Sequence, residues 1–118
     1  MKVLVIGENS FFGQNLKRHP ICQNWLFKSH KEVKYQSNVL DKTDVIVNLG
    51  VSSDIASNTF NVSDSLDVFL ANYVLGSKTK LVTISTRQIY GEACLLSEKI
   101  DPSPITQYGK NKLAVEKY

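Results

Sequence analysis

Cysteine, histidine and long apolar runs are all scarce in this sequence, and each scarcity removes a class of protein. The two cysteines, Cys22 and Cys94, lie far apart and match no metal or redox spacing, so free thiols in a reducing cytoplasm are expected. His19 and His30 are the only imidazoles, and neither has cysteines or carboxylates clustered around it, which predicts no metal site. The opening apolar run ends at Gly7, too soon for a signal peptide. No stretch approaches the roughly 18 apolar residues of a membrane span. Charge of one sign is also weak. Lys and Arg number 14 against 11 Asp and Glu, and the resulting +3 is scattered, which leaves no footprint for nucleic acid. No repeat or low-complexity tract appears. What remains is an ordinary α/β composition, 42% hydrophobic and 21% charged, in a chain of 118 residues that suffices for one domain with a real core.

The opening segment, MKVLVIGENSFFGQNL, carries the first pattern. Residues Val3 to Ile6 form a continuous apolar run rich in β-branched residues and bounded by Gly7, as in a parallel strand buried on both faces. Gly7, Ser10 and Gly13 follow at intervals of three, and Gln14 to Arg18 is predicted to continue as a helix stopped by Pro20. Strand, small-residue turn and helix make a candidate dinucleotide cradle. Glycine permits the tight turn, small residues let the backbone approach a pyrophosphate, and the helix start offers N–H groups and a favourable dipole. The spacing is neither Gly-x-Gly-x-x-Gly nor a Walker loop, which would need Gly-Lys-Ser/Thr. Taken alone it also fits a plain strand-to-helix turn.

A second pattern closes the chain. LVTISTRQIYGE sets Thr86 at the end of an apolar strand, and PITQYGKNKLAVEKY sets Tyr108 and Lys112 four residues apart on a predicted helix. Positions i and i+4 share a helical face, so phenol and ammonium point the same way. A free phenol titrates near ~10, too high for proton transfer at neutral pH, and a neighbouring positive charge lowers that value. With five Tyr and twelve Lys, one such pair arises easily by chance. The order along the chain carries the signal: small-residue turn, hydroxyl strand, Tyr/Lys helix.

Together these segments resemble the extended short-chain dehydrogenase/reductase family, the NAD(P)-dependent epimerases, dehydratases and reductases of sugar nucleotides. The resemblance covers the whole chain. KVLVIGENSFFGQNL is similar to the family's opening strand and Gly-x-x-Gly-x-x-Gly turn, with Ser10 in place of the second glycine. DVIVNLGV (44–51) resembles its fourth strand, NVSDSLDVFLA (61–71) the helix after it, and ISTRQIYGE the strand with the hydroxyl residue. SEKIDPSPITQYGKNKLAVEKY resembles its catalytic helix and the loop before it. Asn111 replaces a usually small residue before Lys112, a change expected to be tolerated. Arg87 and Gln88 stand where the dehydratases often carry Asp-Glu, so elimination of water through such a carboxylate pair is not expected.

The fold so implied is a Rossmann-like, doubly wound parallel α/β sheet, shortened between the second and fourth strands. Trp25 to Phe27 reads as the second strand, and the sixteen residues from Lys28 to Thr43 have room for one crossover but not two. The family's third strand is therefore expected to be missing or reduced to an edge piece around Val33 to Tyr35. This compact form resembles the reductases of capsule and O-antigen deoxysugar synthesis and the dehydrorhamnose reductases.

On this resemblance Gly7, Ser10, Phe11, Phe12 and Gly13 would cradle the pyrophosphate, the two phenylalanines through their backbone N–H groups. Leu49, Gly50 and Val51 would lie along the adenosine and ribose. After the second strand, FKSHKEVK has Ser29, His30 and Lys31 and no Asp at the place that selects NAD, so NADP is favoured over NAD with His30 and Lys31 near its extra phosphate. Tyr108 would exchange a proton with the reacting sugar oxygen, Lys112 would bind the nicotinamide ribose, and Thr86 would hydrogen-bond that oxygen. The implied partners are a nucleoside-diphosphate sugar and a second copy in a homodimer. Family members run well over twice this length, so 1–118 is read as a cofactor-binding domain whose substrate lobe is absent, with apolar surface on its last helix at Leu113, Ala114 and Val115. Two other readings stay open, a non-catalytic NAD(P)-binding module and a truncated subunit acting by association.

Overall fold

The computed structural model describes residues 1–92 and 95–118, so Cys94 lies outside the described residues. Four short strands form one parallel sheet in the order β2-β1-β3-β4. Strand β1 (Val3–Ile6) is central and buried along its whole length, with Leu4, Val5 and Ile6 wholly inaccessible. Each such side chain contributes about 1.5–3 kcal/mol on leaving water. Val5 pairs with Phe27 of β2 (Leu26–Lys28) on one side and with Val47 of β3 (Val45–Asn48) on the other. Val47 in turn pairs with Val82 of the outer strand β4 (Lys80–Thr83).

The chain runs from β1 outward to β2 and then returns past β1 to β3, so the winding reverses beside β1. Open α/β sheets bind ligands at such a reversal, at the carboxyl ends of the strands. Helix α1 (Phe11–Arg18) makes the first crossover and α2 (His30–Tyr35) the second.

The missing third strand is borne out, and the edge piece around Val33 to Tyr35 is not. Those residues are helical, because Ser29 and Glu32 form a reciprocal capping box that starts α2 and turns Val33 into the core. Strand β2 begins one residue later than Trp25. Helix α1 begins three residues before Gln14, because Ser10 caps it.

The chain divides into two compact units, residues 1–50 with 70–84, and residues 51–69 with 85–118. The first holds the whole sheet. The division falls within α3 (Leu66–Val74). In the second unit α4 (Gln107–Glu116) packs on the 3-10 turns Arg87–Tyr90 and Val62–Asp64. On α4, Ala114 is exposed while Leu113 and Val115 are half-buried. Among the described residues no helix is long and apolar enough to cross a membrane.

Candidate functional site

In the first unit, the loop after β1 is built by Ser10. Its hydroxyl donates to the Gly7 carbonyl at 2.7 Å and accepts from the Gly13 N–H at 3.0 Å, which caps α1. Its backbone is extended, with φ −69°, so serine is accommodated at this position without strain. Gly7, by contrast, has φ +101°, a region open to glycine. Gly13 is required by contact instead, since a Cβ there would lie 2.3 Å from the Gly7 carbonyl oxygen. The loop is thus wrapped against the first turn of α1.

The geometry of that turn leaves the N–H groups of Phe11 and Phe12 without intrahelical acceptors. Lys17 and Arg18 in the last turn complement the helix dipole. Glu8 would repel an anion here, but Lys17 pairs with it at 2.6 Å. An anion meets free donors and little opposing charge at such a helix start.

The Phe11 and Phe12 side chains are not core packing: they are 78% and 63% exposed and meet each other edge-on, 5.7 Å between centroids. They occupy the first turn, and the face α1 turns inward carries Gly13, with Leu16 half-buried.

The loop after β3 meets the loop after β1. A Cβ on Gly7 would approach the Gly50 nitrogen and Leu49 to 3.2 Å, so Gly7, Leu49 and Gly50 are brought together where the winding reverses. Buried Asn48 fixes this corner, its Oδ1 accepting from the Gly50 N–H at 3.0 Å and ending the strand there. Val51 follows, exposed, as the first residue of the second unit.

The loop after β1 also touches the end of β2, where the Gly7 and Glu8 N–H groups donate to the Lys28 carbonyl at 2.9 and 3.4 Å. His30 and Lys31 follow as exposed residues at the start of α2. Glu32 turns back instead: its carboxylate accepts from the Ser29 N–H and hydroxyl, both at 2.9 Å, and pairs with Lys28 at 3.1 Å. The Ser29 N–H, then the Lys28 ammonium and the Ser29 hydroxyl, lower its pKa from 4.5 to about 2.

In the second unit the hydroxyl residue and the Tyr/Lys helix are assembled together. Thr86 lies beyond the end of β4, not within it. It caps the 3-10 turn Arg87–Tyr90, its Oγ1 accepting from the Gln88 N–H at 3.3 Å. Gln88 joins that turn to α4: its Oε1 accepts from the hydroxyl of Thr106, the residue capping α4, at 2.7 Å. Gly109 packs so close that a Cβ there would lie 2.6 Å from the Gln88 carbonyl. The Ser85 hydroxyl donates to Glu116 at the far end of the helix. The Gln88 amide thus serves as a latch between this turn and α4.

Tyr108 is half-buried on α4. Lys112 is only 3% exposed, with its ammonium 3.9 Å from the Asp67 carboxylate, which is 14% exposed. Burying an ammonium is tolerable only beside compensating charge and hydrogen bonds, and Asp67 supplies the charge.

Asp67 and Asn111 were not legible as site residues. Asp67 lies 45 positions before Lys112, and no local periodicity links them. Asn111, expected to be merely tolerated, is buried and hydrogen-bonded to the segment Ile55–Ser57. The Thr106 cap did leave a signal, a threonine placed directly before the helix.

No protein-family model matches the chain, and no curated protein matches its sequence. Solved structures do share its fold. UDP-glucuronic acid 4-epimerase from Bacillus cereus, in complex with NAD, superposes on 99% of this chain with a TM-score of 0.76 and 23% identity. RMD from Pseudomonas aeruginosa, complexed with NADPH, covers 98% at 0.68 and 18%. A dTDP-4-dehydrorhamnose reductase from Clostridium acetobutylicum covers 99% at 0.70 and 20%. The chain spans 50%, 47% and 48% of those chains respectively, about half of each. The Rossmann-like α/β fold expected from the sequence is the fold they share.

Proposed function

We propose that this chain is the cofactor-binding part of an extended short-chain dehydrogenase/reductase that acts on a nucleoside-diphosphate sugar as a reductase or epimerase. The observation that carries this reading is the pairing of two constructions on one chain: a capped, glycine-wrapped helix start beside a winding reversal, and a Tyr/Lys helix latched to a threonine turn. The solved structures of like fold support it, since their names speak of sugar nucleotides, NAD and NADPH.

In this reading Gly7, Ser10, Phe11, Phe12 and Gly13 hold the pyrophosphate at the start of α1, and Leu49, Gly50 and Val51 line the adenosine side. The nicotinamide, when bound, supplies or accepts the hydride at a sugar carbon. Tyr108 gives a proton to the oxygen on that carbon in reduction and takes it back in oxidation. Thr86 hydrogen-bonds the same oxygen and shares its developing charge. Lys112 binds the nicotinamide ribose and keeps a positive charge beside the phenol.

Reduction or epimerisation is favoured over dehydration because the Gln88 amide is committed to Thr106 and the two residues directly after Thr86, Arg87 and Gln88, carry no carboxylate. NADP is favoured over NAD because His30 and Lys31 are exposed at the end of β2 while Glu32 is drawn back into its capping box. Titration of the protein with NADPH and NADH tests both parts. Saturable binding with NADPH the tighter is expected. Tighter NADH ends the NADP assignment, and no binding of either at millimolar concentration ends the oxidoreductase reading.

A further inference from the structure

Asn111 is 9% exposed, lies directly before Lys112 and follows Tyr108 by three residues. Its Nδ2 donates to two backbone carbonyls at once, Ile55 at 2.7 Å and Ser57 at 2.9 Å, while its Oδ1 accepts from Gln107 Nε2 at 2.9 Å. The segment it grips is itself ordered: Ile55 is buried, and the N–H groups of Ile55 and Ser57 donate to Ser52 and Asp54. We infer that Asn111 is a positioning residue for the chemistry of Tyr108 and Lys112, a two-pronged clamp that fixes the rotation of α4 about its own axis. The inference rests on the roles given to Tyr108 and Lys112 above.

Successive residues turn by about 100° on a helix, so Lys112 lies roughly 40° to one side of Tyr108 and Asn111 roughly 60° to the other. All three share one sector, and whatever holds Asn111 sets the bearing of the other two. A phenol oxygen stands on the order of 8 Å from the helix axis, so a turn of about 7° moves it by about 1 Å, enough to cost on the order of 100-fold in rate.

Two other tethers of α4, Thr106 to Gln88 and Ser85 to Glu116, are exposed, and water competes for their partners, while the buried Lys112 ammonium lies 3.9 Å from Asp67. The Asn111 clamp is buried at its Ile55 bond and grips backbone rather than another side chain. Residue chemistry fits it narrowly. Two N–H donors on one short planar group reach two carbonyls. Serine has a single donor, alanine none, and aspartate would set its oxygens against the carbonyl oxygens.

The test compares the wild-type full-length protein with Asn111→Ala and the milder Asn111→Ser. Binding is measured for whichever of NADPH and NADH the wild type prefers, and for the matching adenosine nucleotide that lacks the nicotinamide ribose. The expected result is dinucleotide binding weakened by about ten-fold, with the adenosine fragment bound as in the wild type. Hydrogen exchange should show α4 amides losing protection while β1 amides keep theirs. Equal weakening of both ligands, or of neither, overturns the inference and leaves the cofactor reading standing. Collapse of the fold in both variants also overturns it, since that assigns Asn111 to folding alone. A wild type that binds neither dinucleotide overturns the cofactor reading, and the inference falls with it.

Discussion

Gly13→Ala puts the wrapped loop to its sharpest test, because two well-measured effects oppose each other at that position. In an unobstructed helix interior, alanine is favoured over glycine by roughly 0.8–1 kcal/mol. Here the added Cβ would meet the Gly7 carbonyl oxygen at 2.3 Å, and the Glu8 Cα and carbonyl carbon at 3.0 Å. All three atoms are backbone, so no side chain can swing aside. An ordinary contact lies near 3.4–4 Å, so either α1 or the loop after β1 must retreat by about 1 Å. Forcing an extra carbon into a filled site costs typically 1–3 kcal/mol. Because the obstacle is backbone, the clash falls in the upper part of that range and exceeds the propensity gain, and Gly13→Ala should lower stability by up to about 2 kcal/mol net. The same retreat would separate the Gly7 carbonyl from the Ser10 hydroxyl and remove the cradle, so dinucleotide binding should fall further than stability does. Urea denaturation and a dinucleotide titration read the two effects. Gly76→Ala is the control, for a Cβ there meets nothing within 4 Å and only its φ of +77° opposes the change. If Gly13→Ala matches or exceeds wild-type stability, the loop is not wrapped as described and the anion site loses its geometric basis.

Further outcomes concern the supports of each unit. The carboxyl of Glu32 has a folded pKa of about 2 against an ordinary 4.5, so its contribution is fully present above pH 4.5 and is lost as pH falls from there toward 2. Glu32→Gln should remove that part of the acid dependence, read as a flatter urea midpoint between pH 4.5 and 2. Thr106→Ala deletes the cap of α4 and the latch to Gln88, and should cost about 1 kcal/mol, while Thr106→Ser should restore most of it in thermal unfolding. Asp67→Ala leaves the buried Lys112 ammonium without its carboxylate and should destabilise by about 3 kcal/mol in urea. Lys112→Met on the Asp67→Ala background should recover part of that loss.

The sequence made the first unit legible because its signals are local. An apolar run bounded by glycine, a serine three residues before Gly13 and a proline after Arg18 all act within one turn of the chain. The short crossover was legible by length alone, but the nature of 33–35 was not. Ser29 and Glu32 stand at capping-box spacing, a local signal for a helix that the expectation of a family strand did not take into account. In the second unit, Tyr108 and Lys112 were found by their spacing, while their supports were hidden. Asp67 meets Lys112, Gln88 meets Thr106 and Asn111 meets Ile55 across separations that no periodicity encodes. Asn111 shows the cost of judging a residue by comparison: as a departure from a small-residue pattern it looked neutral, whereas its burial and its bonds make it a clamp.

The most direct measurement is turnover of a nucleoside-diphosphate keto-sugar by the full-length protein carrying Tyr108→Phe, with dinucleotide affinity measured on the same sample. The phenol is assigned the proton transfer and no share in holding the pyrophosphate, so kcat should fall by about 10²–10⁴ while affinity stays within about two-fold. Turnover near that of the wild type would contradict the account, because the proton would then be moving through some other group.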